Sequence, residues 1–230
     1  MAGGWPLRSA PSVTVPGVPA TRRQLADASA ELARRHRQFR AVVKSAGPAD
    51  LRRGRPRREH FAELARMILY QQLAGRAAAA IHGRFVALFE DERPTPEAVL
   101  VLPVDSLRAV GLSGSKAASV RDLATKILDG EVLLDRIGRL SDDEIVRELT
   151  LVRGIGRWTA EMFLMFQLGR IDVWPVDDYG VRKGYALLFG HDELPTPKVL
   201  MELGEPFRPY RSVAAWYCWR AADTVVPDGK

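Results

Sequence analysis

From Thr21 onward, apolar residues recur at helical spacing. Leu25, Ala28, Leu32 and Ala33 share one face, which predicts a helix from about Arg23 to Lys44 before Ser45 to Pro56 breaks the pattern. A second face, built from Phe61, Leu64, Ala65, Ile68 and Leu69, runs toward Gln71 and Gln72. An alanine-rich stretch then carries a third helix to Phe89, and Pro94 and Pro96 close it. Thr95 ahead of Pro96 and Glu97 has the form of a helix start, and further short helices are predicted at Val104 to Val110, Lys116 to Asp129 and Asp142 to Thr150. Ser141 with Glu144 three residues on is a capping-box pattern in front of Ile145, Val146 and Leu149. No stretch alternates apolar and polar residues between turns, and no repeat of fixed period occurs, so the fold class is all-α with short connections.

Composition narrows the chemistry. The chain has 230 residues, 47% of them apolar, enough to fill a core. No apolar run approaches the roughly 18 residues that span a bilayer, so no membrane partner is expected. One cysteine, Cys218, and four histidines exclude an internal disulfide, a four-cysteine cluster and a side-chain zinc site. The net charge of +6 hides an asymmetry: residues 1–60 hold thirteen Arg/Lys against four acids, a net +9, which leaves the remainder negative. Arginine-rich blocks suit phosphate, because guanidinium groups fork onto phosphate oxygens and displace condensed counterions. Solvated surface charge is the alternative reading of the same block. Residues 1–20, with four prolines, several glycines and little to bury, read as a flexible leader.

The informative segment is Leu149 to Gly184. A helix ending near Leu151, the tight turn Gly154-Ile155-Gly156 and a new helix from Arg157 make a helix-hairpin-helix. Glycines at 154 and 156 remove side-chain bulk where backbone N–H groups at a helix start can approach a phosphate, Ile155 anchors the turn, and Arg153 and Arg157 add positive charge. Such a turn alone is often only a connection. Downstream lies the acidic pair Asp177-Asp178. An Asp ahead of Tyr179-Gly180-Val181 is a good helix N-cap, worth about 1 kcal/mol, whatever else it does.

Together these residues resemble the helix-hairpin-helix glycosylases of base excision repair, and within them the DNA-3-methyladenine glycosylase II branch. The likeness covers about Phe61 to Ala222. It rests on Gly154 to Ala160 with Asp177-Asp178-Tyr179, supported by Gln71 to Ala74, Gly111 to Ala117, and Pro209 to Ser212 ahead of Trp216 and Trp219. The resemblance implies an all-α, two-lobed fold. A basic helical segment (21–60) would pack on the C-terminal lobe, one lobe (61–173) would contain the hairpin at about 145–168, a second lobe would span 174–226, and a short tail 227–230. The N-terminal β-rich domain of longer members, which supplies part of their pocket wall, is not expected in this arrangement. The essential acid of the family maps to Asp178 in preference to Asp177.

The implied reaction is hydrolysis of an N-glycosidic bond in double-stranded DNA, releasing alkylated purines such as 3-methyladenine and 7-methylguanine, with Asp178 stabilising an oxocarbenium-like state. Lyase relatives carry a lysine where this chain has Trp158, so a monofunctional enzyme without strand cutting is expected. Trp158, Trp219, Tyr179 and Met162 are the candidate pocket walls, with burial in the core as the competing fate of each tryptophan. Gln71, Gln72, Leu73, Ser113, Gly114, Lys116, Arg153, Gly154, Gly156, Arg157 and Arg211 are the candidate DNA contacts, with Gln72 or Leu73 as the wedge that fills the vacated stack. No cofactor is required; the likeness places a structural Na+ or K+ at the backbone carbonyls of Thr150, Val152 and Ile155. It also implies a cytoplasmic, nucleoid-associated monomer, and the Ala/Arg-rich composition points to a bacterial source. A noncatalytic reader of damaged DNA, and a glycosylase for hypoxanthine, ethenoadenine or uracil, remain the alternatives.

Overall fold

The computed structural model describes residues 19–51 and 59–224. Most of the leader expected at 1–20, the tail at 227–230 and the arginines between 52 and 58 fall outside the described residues. Ala20 is an exception to the leader reading: it is buried, and its N–H donates to the Gly169 carbonyl at 3.3 Å.

Helix α1 (Arg22–Arg35) starts at a capping box in which the Thr21 hydroxyl accepts from Gln24 N–H and the Gln24 side chain accepts from Thr21 N–H. The single helix expected to run to Lys44 is broken. His36 is extended, Arg37–Phe39 form a 3-10 turn, and α2 covers Arg40–Ala46. The break is tertiary in origin. Arg35 donates to the carbonyls of Pro206 and Arg208, the His36 ring meets Phe207 edge-on, and Phe39 is fully buried against Phe189, Phe207 and Tyr217. None of those partners is local in sequence.

Helix α3 (His60–Tyr70) stops before Gln71, and α4 (Gly75–Val86) stops short of Phe89. Thr95 caps α5 (Pro96–Val101), which is followed by α6 (Val104–Ala109), and Ser113 caps α7 (Gly114–Leu128). The predicted capping box at Ser141 and Glu144 forms and heads α8 (Asp142–Thr150). Helix α9 (Arg157–Met162) runs on as a π-helical turn, Phe163–Gln167. Then come α10 (Tyr179–Phe189), α11 (Pro197–Leu203, capped by Thr196) and α12 (Arg211–Thr224). Among the described residues there is no strand, and no helix is long and apolar enough to cross a membrane.

One group of helices packs α3 on α4 and α7, α5 on α7, and α8 on α9; the other packs α10 on α12 with α1 and α2 alongside. A continuous buried cluster joins them, from Leu64 and Leu69 through Phe163 and Met165 to Val213 and Tyr217. Residues 21–51 therefore sit on the C-terminal group, where Tyr217 Oη donates to the Gly47 carbonyl at 2.9 Å. The closest approach is α10 on α12. Gly184 lies flat on the Cys218 backbone, and a Cβ at 184 would overlap the Cys218 carbonyl. Cys218 is wholly buried there, and burial pushes its thiol well above the usual range.

Gly184→Ala is therefore expected to cost at least about 2 kcal/mol by overpacking. Gly83→Ala, in the interior of α4 with open space where its Cβ would lie, is expected to gain about 0.5–1 kcal/mol. Chemical denaturation of the two variants checks both signs.

Candidate active site

The hairpin is built from glycines with different reasons to be there. After α8 the chain turns at Gly154, whose φ of +79° favours glycine, and a Cβ at that position would lie 2.6 Å from Ser119 Oγ. Val152 and Ile155 are buried on either side, and Ile155 N–H donates to the Val152 carbonyl at 3.0 Å. The Arg153 N–H donates to an Asp122 carboxylate oxygen at 2.7 Å, which ties the turn to α7. Gly156 caps α9 in ordinary extended geometry and meets nothing where a Cβ would lie. Nothing in the fold itself requires a glycine at 156, so its effect is to leave the first amides of α9 uncovered. Arg153 and Arg157 flank that surface, both exposed.

Behind the hairpin, α3, α9, the π-turn, the start of α10 and α12 enclose a cavity of about 780 Å³. Its walls are aromatic and soft: Tyr70, Trp158, Met162, Phe166, Trp216 and Trp219. Phe166 and Trp219 stack with centroids 5.7 Å apart and planes 28° apart. The one carboxylate in the lining is Asp178. Its Oδ1 accepts from the Val181 N–H at 2.8 Å and from Trp219 Nε1 at 2.8 Å, while Oδ2 accepts from Trp158 Nε1 at 2.7 Å. Asp178 thus is an N-cap and something more, because two indoles from two other helices fix its plane in the cavity. Gly180 makes room for this: a Cβ there would lie 2.7 Å from Trp219 Cδ1 and 3.1 Å from Asp178 Oδ1.

Asp177 is exposed and does not line the cavity, whereas Asp178 does. Trp158, 45% exposed, Trp219 and Met162 are wall residues as expected. Tyr179 is not: it is 63% exposed and lies outside the lining. The first turn of α10 directs it to solvent once Asp178 faces inward. Gln72 reaches the cavity lining, with Leu73 exposed beside it. Gln71 lines the cavity too, and its side-chain amide donates to the Gly154 carbonyl at 2.9 Å and to Thr159 Oγ1 at 3.3 Å.

Three expected DNA contacts have internal duties. Ser113 caps α7 by accepting from the Lys116 N–H at 3.2 Å, and a Cβ on Gly114 would crowd Arg108. Lys116 does not point outward to a phosphate; its Nζ donates to the carbonyls of Leu69 at 2.7 Å and Gln71 at 2.8 Å. Arg211 is committed to Asp172, with Nε 2.9 Å from Oδ1, and to Glu205. Arg211, Asp172 and Glu205 line a second, charged cavity of about 800 Å³ rather than the aromatic one. An arginine after a proline reads as a surface cation in sequence; only the fold brings Asp172, thirty-nine residues earlier, to its fork.

Several wall residues were not among the candidates: Arg66, Tyr70, Phe166, Arg220 and Trp216, the last of which the resemblance included without a role. The available signal was local spacing. Arg66 pairs with Glu63 three residues before and stacks over Tyr70 four after, at 4.9 Å; Arg220 stacks over Trp216 at 5.3 Å.

Glu161, one turn after Arg157, is only 3% exposed. Its Oε1 accepts from Arg157 Nε at 2.9 Å, and Oε2 has no partner among the described residues. Burial pushes its carboxyl up to about 7 against the pull of Arg157, with Asp177 and Asp178 adding like charge. The folded chain therefore keeps a proton that the unfolded chain releases near 4.5, so this group lowers stability as pH rises from about 4.5 to about 7 and no further above that. Glu161→Gln removes the ionisation and is expected to gain as much as about 3 kcal/mol over wild type at pH 8, with little difference at pH 5. Thermal unfolding of both proteins across that range gives the test.

Comparison with known proteins places these features. A sequence model described as the HhH-GPD superfamily base excision DNA repair protein matches residues 65–209. A DNA-3-methyladenine glycosylase 1 of Schizosaccharomyces pombe is 36% identical over 186 residues, covering 80% of this chain and 82% of the relative. Among solved structures, a 3-methyladenine DNA glycosylase of the same yeast in complex with abasic DNA superposes with a TM-score of 0.74 at 35% identity, covering 84% of this chain and 95% of that one. A DNA-3-methyladenine glycosidase from Bacillus halodurans gives a TM-score of 0.75 at 34% identity, covering 84% and 87%.

Proposed function

The chain belongs to the HhH-GPD superfamily of base excision DNA repair proteins, and from that membership we propose that it is a monofunctional glycosylase that everts and excises alkylated purines from double-stranded DNA. The observation that carries the reading is Asp178, held by two indole N–H groups and a helix N-terminus in a cavity walled by aromatic rings. A flipped base enters such a cavity by stacking, and electron-rich faces attract a base made cationic by methylation.

The chemistry follows from charge. As the N-glycosidic bond breaks, its electron pair leaves with the base and positive charge develops on the sugar; a fixed carboxylate stabilises that charge without reorganising. Water then attacks the anomeric carbon and gives up a proton, for which the Asp178 carboxylate is the acceptor. A methylated purine departs as a neutral molecule, so no separate acid is needed. 3-Methyladenine and 7-methylguanine fit this scheme; neutral lesions such as hypoxanthine, ethenoadenine or uracil would need help for the leaving group as well. Trp158 occupies the position where lyases place a lysine, and among the described residues no lysine lines the cavity, which supports a reaction without an amine nucleophile.

Contact with the duplex falls to the hairpin amides with Arg153 and Arg157, and the wedge to Gln72 and Leu73. A hard monovalent cation, Na+ or K+, would sit among the carbonyls of Thr150, Val152 and Ile155, all oxygen donors on the hairpin turn, and would add positive charge where phosphate docks. A monomer working on chromosomal DNA in the cytoplasm completes the reading.

Wild type is expected to release free 3-methyladenine from N-methylated duplex DNA without nicking the backbone. Asp178→Asn should lose at least about 100-fold in single-turnover rate while binding abasic duplex within about threefold of wild type. Nicking in the same reaction would overturn the monofunctional reading. Tight binding without release would favour a noncatalytic reader, and release confined to a neutral lesion would change the substrate.

A further inference from the structure

The turn between α3 and α4 is held more firmly than a connection needs. Gln72 sits there at φ +56°, a left-handed conformation unusual for a residue with a Cβ, and reaches the rim of the aromatic cavity. Two side chains tie the residue before it to its surroundings. From α7, the Lys116 ammonium donates to the carbonyls of Leu69 and Gln71, the last acceptors at the end of α3. From the turn itself, the Gln71 amide reaches across to the hairpin and donates to the Gly154 carbonyl and to Thr159 Oγ1.

Each contact alone has an ordinary explanation. A lysine on the last carbonyls of a helix is a C-terminal cap that also complements the dipole, and a buried amide needs partners. Their convergence on one residue says more. Lys116 is partly buried, and burial lowers its proton affinity, a cost that a surface cap avoids. The Gly154 carbonyl belongs to the turn whose neighbouring amides are left open to phosphate, and Thr159 lies on α9 next to Trp158, which holds Asp178. Gln71 is thus a single link between the hairpin, the acid's support and the base of the strained turn.

We propose that Lys116 and Gln71 are positioning residues that lock the Gln71 to Ala74 turn to the hairpin, so that seating the hairpin on the duplex drives the turn's exposed side chains, Gln72 and Leu73, into the base stack. The proposal rests on the glycosylase reading for its substrate, though not for its geometry. A side chain that displaces a stacked base is pushed back by the stack, and a turn held only by its own backbone yields to that force. Lys116 resists from the α7 side; Gln71 makes the turn follow the hairpin. Neither residue touches the reacting atoms.

The test separates eversion from chemistry and from folding. Wild type, Lys116→Met, Lys116→Arg and Gln71→Ala are compared on duplexes carrying an alkylated purine either fully paired or in a one-nucleotide bulge, where eversion needs little help. A 2-aminopurine beside the lesion reports unstacking, read in an Asp178→Asn background so that no bond breaks. On the paired duplex, Lys116→Met and Gln71→Ala are expected to slow single-turnover release by about 10- to 100-fold and to weaken the unstacking signal. On the bulged duplex the loss should shrink to within about threefold, affinity for abasic duplex should stay within about threefold, and Lys116→Arg should recover part of the rate. Equal losses in both contexts, or an unchanged unstacking signal, would overturn the proposal and leave two structural caps. If wild type releases no base in either context the glycosylase reading fails, and the 2-aminopurine signal still decides whether the two residues drive unstacking.

Discussion

The Asp178 carboxylate is the constraint on which the rest of the site depends. It accepts at once from the first turn of α10, from the indole of Trp158 on α9 and from the indole of Trp219 on α12. Three helices from both halves of the molecule therefore share one small group. Because all three partners are N–H donors at 2.7–2.8 Å, the carboxylate has little rotational freedom and each indole has one orientation. The same bonds that fix the acid stand the aromatic walls upright. One carboxylate both caps a helix and faces the cavity; in this geometry the cap is what aims it.

Close packing behind the site makes that geometry repeatable. Gly184 lets α10 lie on the backbone of α12, Gly180 lets the Trp219 ring approach the start of α10, and Gly204 lets Trp174 pack flat with its Nε1 on the Leu200 carbonyl. With α10 and α12 locked, the indole of Trp219 has nowhere else to go. The hairpin is locked differently, through Gly154 against Ser119 and the Arg153 amide on Asp122. One surface is left open in front of Gly156, with Arg153 and Arg157 around it.

Charge is distributed by the same logic. Arginines that look alike in sequence divide into those held in internal ion pairs, such as Arg211 with Asp172 and Arg66 with Glu63, and those left at the surface, such as Arg153. Glu161 is the unusual case, a buried carboxyl pushed up to about 7, paired with Arg157 and close enough to Asp178 to feel its charge. It couples the hairpin arginine to the interior at the expense of stability above neutral pH.

Local rules carried much of this in the sequence. Helical periodicity, the Ser141 capping box, the glycine turn of the hairpin and the Asp ahead of α10 depend on neighbours within four residues, so the chain states them directly, and the all-α class follows. The break at His36 was not legible, because its cause is Phe207 and the Pro206 carbonyl, some 170 residues away. The inward turn of Lys116, the burial of Arg211 and the outward turn of Tyr179 were hidden for the same reason. Asp177 and Asp178 carry the same side chain, and in the fold the indoles arriving from α9 and α12 meet Asp178. The sequence by itself determined which residues were available for chemistry and which helices would present them. Tertiary structure alone decided where each long side chain points, because that depends on partners brought together from far along the chain.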